Sequence, residues 1–151
     1  MTRGKNKALL VDRDGTINVD CHYCSDVSKL VIYDDIIPVL KKYQDEGYLI
    51  IIVTNQSGVN RGYFTLDDLD RFNSEVKRYL ESHGVKISGI YFCPHRPDEN
   101  CECRKPRTGM VEQAARDFNL DVKACILIGD SEDMDGGLAR NLGIPFIKVI
   151  H

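Results

Sequence analysis

Apolar residues gather along this chain in short runs, and the stretches between those runs carry a helical period. Ala8-Leu9-Leu10-Val11, Tyr48 to Thr54, Ile87 to Phe92, Cys125 to Ile128 and Pro145 to Val149 read as strands, several with no polar alternation at all. Such runs suit strands covered on both faces in a parallel sheet. Between them, Pro38 opens a helical pattern through Val39, Leu40 and Tyr43 that Gly47 closes. Thr65, followed by Asp67 and Asp68, has the form of a helix N-cap with acids in the first turn. Leu66, Leu69, Phe72, Val76, Tyr79 and Leu80 then recur at threes and fours, which predicts one long amphipathic helix stopped by Gly84. A further helix is expected over Gly109 to Asn119, with Met110, Val111, Ala114, Ala115 and Phe118 inward, and a short one through Leu138 and Leu142, ended by Gly143. Strand and helix alternate throughout, without repeats or linkers. The expected fold is therefore a single α/β domain over residues 1–151, a Rossmann-like parallel five-stranded sheet with helices on both faces.

Polar residues stand at the strand ends. The first strand ends in Asp12-Arg13-Asp14-Gly15-Thr16, the second in Thr54-Asn55-Gln56-Ser57-Gly58, and the fourth in Gly129-Asp130, while Lys105 comes after the third. In extended chain residues two apart project to one side, so Asp12 and Asp14 are expected to face one pocket and Arg13 to point away. Two close carboxylates repel unless a cation lies between them, and hard oxygen donors suit Mg²⁺. Each residue alone also has a plain structural reading: Asp and Gly as turn formers, Thr54 as a cap, Lys105 as a surface cation. Their recurrence at successive strand ends, where α/β sheets bind ligands, favours a site.

The net charge of -3 over 151 residues, with 28% charged, shows no basic run or face. That speaks against a nucleic-acid or membrane-surface role, and no segment has the length and apolarity of a membrane span or a signal sequence. A cytoplasmic monomer is the expectation. Six cysteines then call for an explanation other than disulfides. Cys93, Cys101 and Cys103 crowd with His95 into one proline-containing loop, which points first to metal, whereas Cys125 reads as a buried small hydrophobe. Cys21 and Cys24 form a C-x-x-C in a loop or small hairpin flap over Ile17 to Tyr33, for which a metal role is a minor expectation.

Taken together, these motifs resemble the four signatures of the haloacid dehalogenase superfamily of phosphatases. They stand here as Asp12-Arg13-Asp14-Gly15-Thr16, Thr54, Lys105, and Gly129-Asp130 with a further acid, for which Asp133 is the expected residue in preference to Asp135. The resemblance implies that Asp12 is the nucleophile of an aspartyl-phosphate mechanism and Asp14 its general acid and base. It also implies that Thr54 and Lys105 bind the phosphoryl oxygens, and that Mg²⁺ sits on Asp12, the backbone carbonyl of Asp14 and Asp130.

Within the superfamily, Asp12 to Asn18, Thr54 to Phe64 and Cys103-Arg104-Lys105-Pro106 resemble the heptose 1,7-bisphosphate phosphatases and, less closely, the histidinol-phosphate phosphatases. That group implies a structural Zn²⁺ on Cys93, His95, Cys101 and Cys103. It further implies a small phosphorylated sugar as substrate, a heptose 1,7-bisphosphate that loses its 7-phosphate, held by Asn55, Gln56, Ser57 and Arg61. Arg104 suits the second phosphate, because guanidinium offers paired donors. No insertion has the size of a separate cap domain, so an open site is expected. A phospho-receiver domain is disfavoured, since its acidic pair is adjacent and its phosphorylated Asp stands after the third strand, where this chain has Cys93. A catalytically idle, zinc-bearing interaction module is disfavoured by the complete set of signatures.

Overall fold

A computed structural model describes residues 5–151. Strands β1 (Ala8–Val11), β2 (Leu49–Asn55), β3 (Ile87–Cys93), β4 (Ile126–Gly129) and β5 (Phe146–Lys148) form one parallel sheet in the order β3-β2-β1-β4-β5. Helices α1 (Ile36–Asp45), α2 (Leu66–Ser82), α3 (Gly109–Phe118) and α4 (Gly137–Leu142) connect them.

The alternation of side chains along the strands assigns the helices to faces. Leu9 and Val11 of β1 join Ile50 and Ile52 of β2 in a core with Leu40 of α1 and Phe72, Val76 and Leu80 of α2. Ala8 and Leu10 point the other way and join Ile51 and Val53 to Met110, Val111 and Ala114 of α3 and Leu138 and Ala139 of α4. Each central strand thus feeds two cores, which is why its sequence has no polar position to spare. Burial at this scale contributes on the order of 2 kcal/mol for each large aliphatic side chain.

Element ends reflect local chemistry. The Thr65 hydroxyl accepts from Asp68 N at 3.1 Å while the Asp68 carboxylate accepts from Thr65 N at 2.9 Å, a reciprocal cap on α2. Helix α1 begins at Ile36 rather than at Pro38, which falls in the first turn where its missing N–H costs nothing. A π-helical turn, Glu132–Gly136, precedes α4.

Two irregular segments cover the C-terminal edge of the sheet. After β1 the chain folds back on itself as a ragged hairpin flap, Val19 N donating to Val31 O and Tyr33 N to Ile17 O, each at 2.9 Å. After β3 comes the cysteine-bearing loop.

Candidate active site

The chain runs outward from β1 through β2 to β3, then crosses back to β4 on the other side of β1. Connections leaving in opposite directions open a crevice at the carboxyl ends of the central strands. An open cleft of roughly 350 Å³ lies there, lined by Asp12, Asp14, Thr54, Asn55, Gln56, Ser57, Lys105, Asp130 and Asp135, with Asp20, His22 and Tyr23 from the flap and Ser131 and Met134 at the far wall.

At its floor Lys105, 2% exposed, donates to Asp12 Oδ1 and Asp135 Oδ1 at 2.7 Å each and to the Val53 carbonyl at 3.0 Å. Burial works against its charge, but Asp12 and Asp135 outweigh burial and hold the ammonium above its ordinary pKa. Asp12, Asp130 and Asp135 each offer an oxygen within 4.8 Å of the others. Burial, then a hydrogen bond shared with Asp12, pushes Asp130 up to about 7. Burial likewise raises Asp135, with Lys105 pulling against it. Lys105 offsets one of the three carboxylate charges. The two left over, on oxygen donors at the floor of the cleft, fit a divalent hard cation such as Mg²⁺.

Glycine makes this crowding possible at two places. A Cβ on Gly15, whose φ is +86°, would collide with the Asp130 carboxylate, and one on Gly129 would collide with that of Asp135. Of the two candidates for the outer acid, the structure brings Asp135 into the cluster, whereas Asp133, the one expected from the sequence, is exposed and lies outside it. The π-helical turn causes the difference. Asp135 N and Gly136 N both donate to Ser131 O, at 3.0 and 3.1 Å, and the extra residue in the turn swings Asp135 inward.

Asp14 sits above the floor, and its carboxylate accepts from four donors. Arg13 Nε and Nη2 reach it at 2.9 and 3.1 Å, Asn18 Nδ2 at 3.0 Å and Gln56 Nε2 at 3.0 Å. Arg13 does point away from the cleft, but it is fully buried rather than idle. Its guanidinium packs on the Phe72 ring, donates to Asn73 Oδ1 at 2.7 Å and to the Cys24 carbonyl at 3.1 Å, and grips the neighbouring Asp14. Sequence reasoning missed Arg13, Asn18 and Asn73. The one available signal was that residue 13 continues the Leu9, Val11 face toward α2.

The segment after β2 is stitched to its neighbours. Gln56 Nε2 also donates to Thr54 Oγ1 at 2.9 Å, tying a buried threonine to Asp14. Asn55 Oδ1 accepts from Lys105 N at 2.9 Å, so its side chain braces the lysine's backbone. Ser57 Oγ accepts from Arg61 Nε at 3.0 Å. Arg61 and Arg104 lie outside the cleft lining but near its Tyr23, and burial and then the Arg61 charge lower the Arg104 pKa.

Behind the rim, Cys93, His95, Cys101 and Cys103 gather. His95 Nδ1 is 3.3 Å from Cys93 Sγ and 3.1 Å from Cys103 Sγ, and Cys101 Sγ is 3.6 Å from Cys93 Sγ. Cys93 and Cys103 are paired as a disulfide in this structure and Cys101 is a free thiol. Donors on a tetrahedral Zn²⁺ stand about 3.5 to 3.8 Å apart, given Zn–S and Zn–N bonds of about 2.3 and 2.0 Å, so the four residues have the donor set of a zinc shell and approach its spacing except at the Cys93–Cys103 bond, which must be reduced before both sulfurs could ligate. Arg104 Nη1 donates to the His95 carbonyl at 3.4 Å and Arg107 to that of Cys101, bracing the loop. Cys21 and Cys24 form a separate disulfide in the flap, with no third metal donor gathered to them among the described residues, and Cys125 is buried.

Comparison with known proteins agrees with this geometry. Residues 12–148 match the family model described as polynucleotide kinase 3 phosphatase. The probable D-glycero-D-manno-heptose-1,7-bisphosphate 7-phosphatase of Thermoplasma acidophilum is 56% identical over 145 residues, covering 96% of this chain and 91% of that protein. The D-glycero-beta-D-manno-heptose-1,7-bisphosphate 7-phosphatase of Yersinia pestis is 40% identical over 144 residues, covering 90% and 77%. Among solved structures, the D,D-heptose 1,7-bisphosphate phosphatase of B. bronchiseptica, complexed with magnesium and phosphate, aligns with a TM-score of 0.83 at 29% identity, over 93% of this chain and 78% of that one.

Proposed function

The chain belongs to the polynucleotide kinase 3 phosphatase family, within the haloacid dehalogenase superfamily, and from that premise we propose a Mg²⁺-dependent phosphomonoesterase that removes the 7-phosphate of a heptose 1,7-bisphosphate. The observation that carries the reaction type is the buried Lys105 joined to Asp12 and Asp135 beside Asp130, with a second carboxylate two residues beyond Asp12.

Asp12 is the nucleophile: a carboxylate oxygen bonds to phosphorus as the bond to the sugar oxygen breaks, giving an aspartyl-phosphate. Lys105 fixes the rotamer of Asp12 and, with the Thr54 hydroxyl, lies beside the phosphoryl oxygens where charge spreads in the transition state. Asp14 gives a proton to the departing alkoxide and later takes one from the water that opens the aspartyl-phosphate. Arg13, Asn18 and Gln56 hold it in place for both steps. Mg²⁺ on Asp12, Asp130 and the Asp14 carbonyl would neutralise the carboxylates that otherwise repel the phosphate.

The sugar end rests on the relatives' substrate and on the rim. Arg61 and Arg104 lie close enough to repel each other, and an outlying phosphate between them would relieve that repulsion, which supports their role as its anchors. Gln56 and Ser57 line the path to them. With the Cys93–Cys103 pair reduced, Cys93, His95, Cys101 and Cys103 would hold Zn²⁺ in a structural role, since four protein donors would leave no position for a reacting water and the ordered loop would fix Lys105 at the cleft with Arg104 beside it.

Phosphate release from heptose 1,7-bisphosphate, histidinol phosphate and a 3'-phosphorylated oligonucleotide, with Mg²⁺, tests the reading. The bisphosphate is expected to have the highest kcat/KM, and Arg104→Ala to raise KM on it about tenfold or more. Preference for either other substrate overturns the sugar assignment.

A further inference from the structure

The C-x-x-C of the flap plays no part in phosphoryl transfer, yet it is joined to the residues that do. Cys21 and Cys24 are disulfide-linked with Cα atoms 5.3 Å apart, within the ordinary span for such a bond. The two residues between them, His22 and Tyr23, both have left-handed backbone, with φ of 57° and 53°. Consecutive non-glycine residues rarely adopt that conformation unless the surroundings impose it. Here both residues lie inside the ring that the disulfide closes, with His22 N also donating to Asp20 Oδ1 at 3.1 Å, and both line the cleft mouth. Tyr23 meets the edge of Tyr63 at 4.7 Å and lies under the Arg61 guanidinium at 5.8 Å, so the ring also positions the rim.

A second line leads inward. The carbonyl of Cys24 accepts from Arg13 Nη2 at 3.1 Å, and that same nitrogen donates to Asp14 Oδ2 at 3.1 Å. Asn18, wholly buried, donates to Asp14 Oδ1 at 3.0 Å and lies 3.9 Å from Cys24 Sγ, while its own Oδ1 has no hydrogen-bond partner. Two of the three side chains that hold the carboxyl of Asp14 therefore rest on Cys24. Unlike the sulfur cluster behind the rim, these two thiols have no further donor to share a metal with among the described residues.

We propose that Cys21 and Cys24 are a reversible thiol–disulfide site which, through Arg13 as positioning residue, sets the placement of Asp14, and through His22 and Tyr23 the shape of the cleft mouth. Reduction by an external dithiol breaks the S–S bond: two electrons and two protons pass to the sulfurs, two thiols form, and the reductant leaves as its own disulfide. The ring opens, His22 and Tyr23 relax from left-handed backbone, and the Cys24 carbonyl no longer anchors Arg13. The oxidised protein is the more active form. The proposal rests on Asp14 acting as acid and base.

The test uses the full chain with Mg²⁺ and Zn²⁺ present, after dithiothreitol or after oxidised glutathione, beside the double variant Cys21→Ser, Cys24→Ser. Alkylation and mass spectrometry are expected to find Cys21 and Cys24 blocked together only after oxidation. The oxidised wild type is expected to show kcat about tenfold above the reduced form with a lower KM, and the double variant to stay at the reduced rate in both conditions. Free thiols at both positions after oxidation, equal rates, or an undiminished redox response in the double variant would each overturn the proposal. If no phosphate ester is turned over in either state, the proposed function fails, and amide exchange decides this point separately. Exchange over residues 19–33 and at Asp14 must then be slower in the oxidised wild type, and equal exchange overturns it.

Discussion

The carboxylates Asp12, Asp130 and Asp135 reach one point from both ends of the chain, whereas Cys93, His95, Cys101 and Cys103 meet within a single loop. Both sets gather at the same edge of the sheet, and both present donors of metal-binding type. They differ in what assembles them. The acids are brought together by strand order: β1 and β4 are neighbours although most of the chain lies between them, and burial raises Asp130 and Asp135 against ionisation. Nothing local favours that arrangement, so it persists because the sheet enforces it. The soft donors are brought together by loop closure, and loops of this length cost little to close once a metal holds them. Breaking the acid cluster should therefore cost chemistry and spare the fold, and breaking the sulfur cluster should do the reverse.

The largest effect is expected from Asp12→Asn. The amide keeps the shape, and Lys105 keeps Asp135 and the Val53 carbonyl as acceptors, so the fold should hold. With no other carboxylate placed to form the covalent intermediate, kcat should fall by about 10⁴-fold or more. Single-turnover phosphate release checks this, and a loss below about tenfold would mean that Asp12 is not the nucleophile.

Next in size is the contrast between Asp135→Asn and Asp133→Asn. Asp135 is 1% exposed and takes a hydrogen bond from Lys105 at 2.7 Å, so losing its charge should lower kcat about 10²-fold and weaken Mg²⁺ binding. Asp133 is exposed, and its variant should stay within about twofold of wild type. Equal losses in the two would return the outer acid to Asp133.

The same division explains what could be read from the sequence. The five strands were legible because two-sided burial leaves each run almost wholly apolar, and α2 because its cap and its period agree. The sulfur cluster was legible because its donors are neighbours in the chain. Asp12, Thr54 and Asp130 were legible as strand ends. Asp135 was not, since nothing in Ser131-Glu132-Asp133-Met134-Asp135 marks a π-helical turn, and an ordinary turn favours the nearer acid. Arg13 was half legible: the strand alternation turned it away from the cleft, but its partners Phe72 and Asn73 come from α2 and only the packed fold supplies them. Asn55 read as a substrate contact and does line the cleft, but its second task was not legible: its side-chain carbonyl accepts from the backbone N of Lys105, a partner far along the chain.

On the sulfur side, Cys101→Ser should remove zinc from the purified protein and lower Tm by about 5 to 10 °C, the size expected for a few kcal/mol in a domain of this length. Turnover at 25 °C should fall by no more than about threefold, because Asn55 still braces the backbone at Lys105. Elemental analysis and a melting curve check it. A collapse of kcat at unchanged Tm would erase the distinction between the two centres.

The smallest effect is a slope of stability with pH, and it separates the centres in the unmutated protein. In the metal-free protein the carboxyl of Asp130, though its residue is exposed, is pushed up to about 7 from an ordinary 3.8, because partial desolvation and then the hydrogen bond shared with Asp12 favour its protonated form. The folded chain therefore holds a proton between about pH 4 and 7 that the unfolded chain releases, and metal-free stability should decline as pH rises through that window. A divalent cation replaces that proton, so the gain in Tm on adding saturating Mg²⁺ should be small near pH 5 and grow toward pH 7.5. The slope belongs to Asp130, and Asp130→Asn should flatten it while leaving the contribution of the cysteine-bearing loop in place. Melting curves with and without Mg²⁺ across this range measure it. A Mg²⁺ gain that is constant with pH would show that the cation does not compete with the Asp130 proton, and the acid cluster would then not be the cation's site.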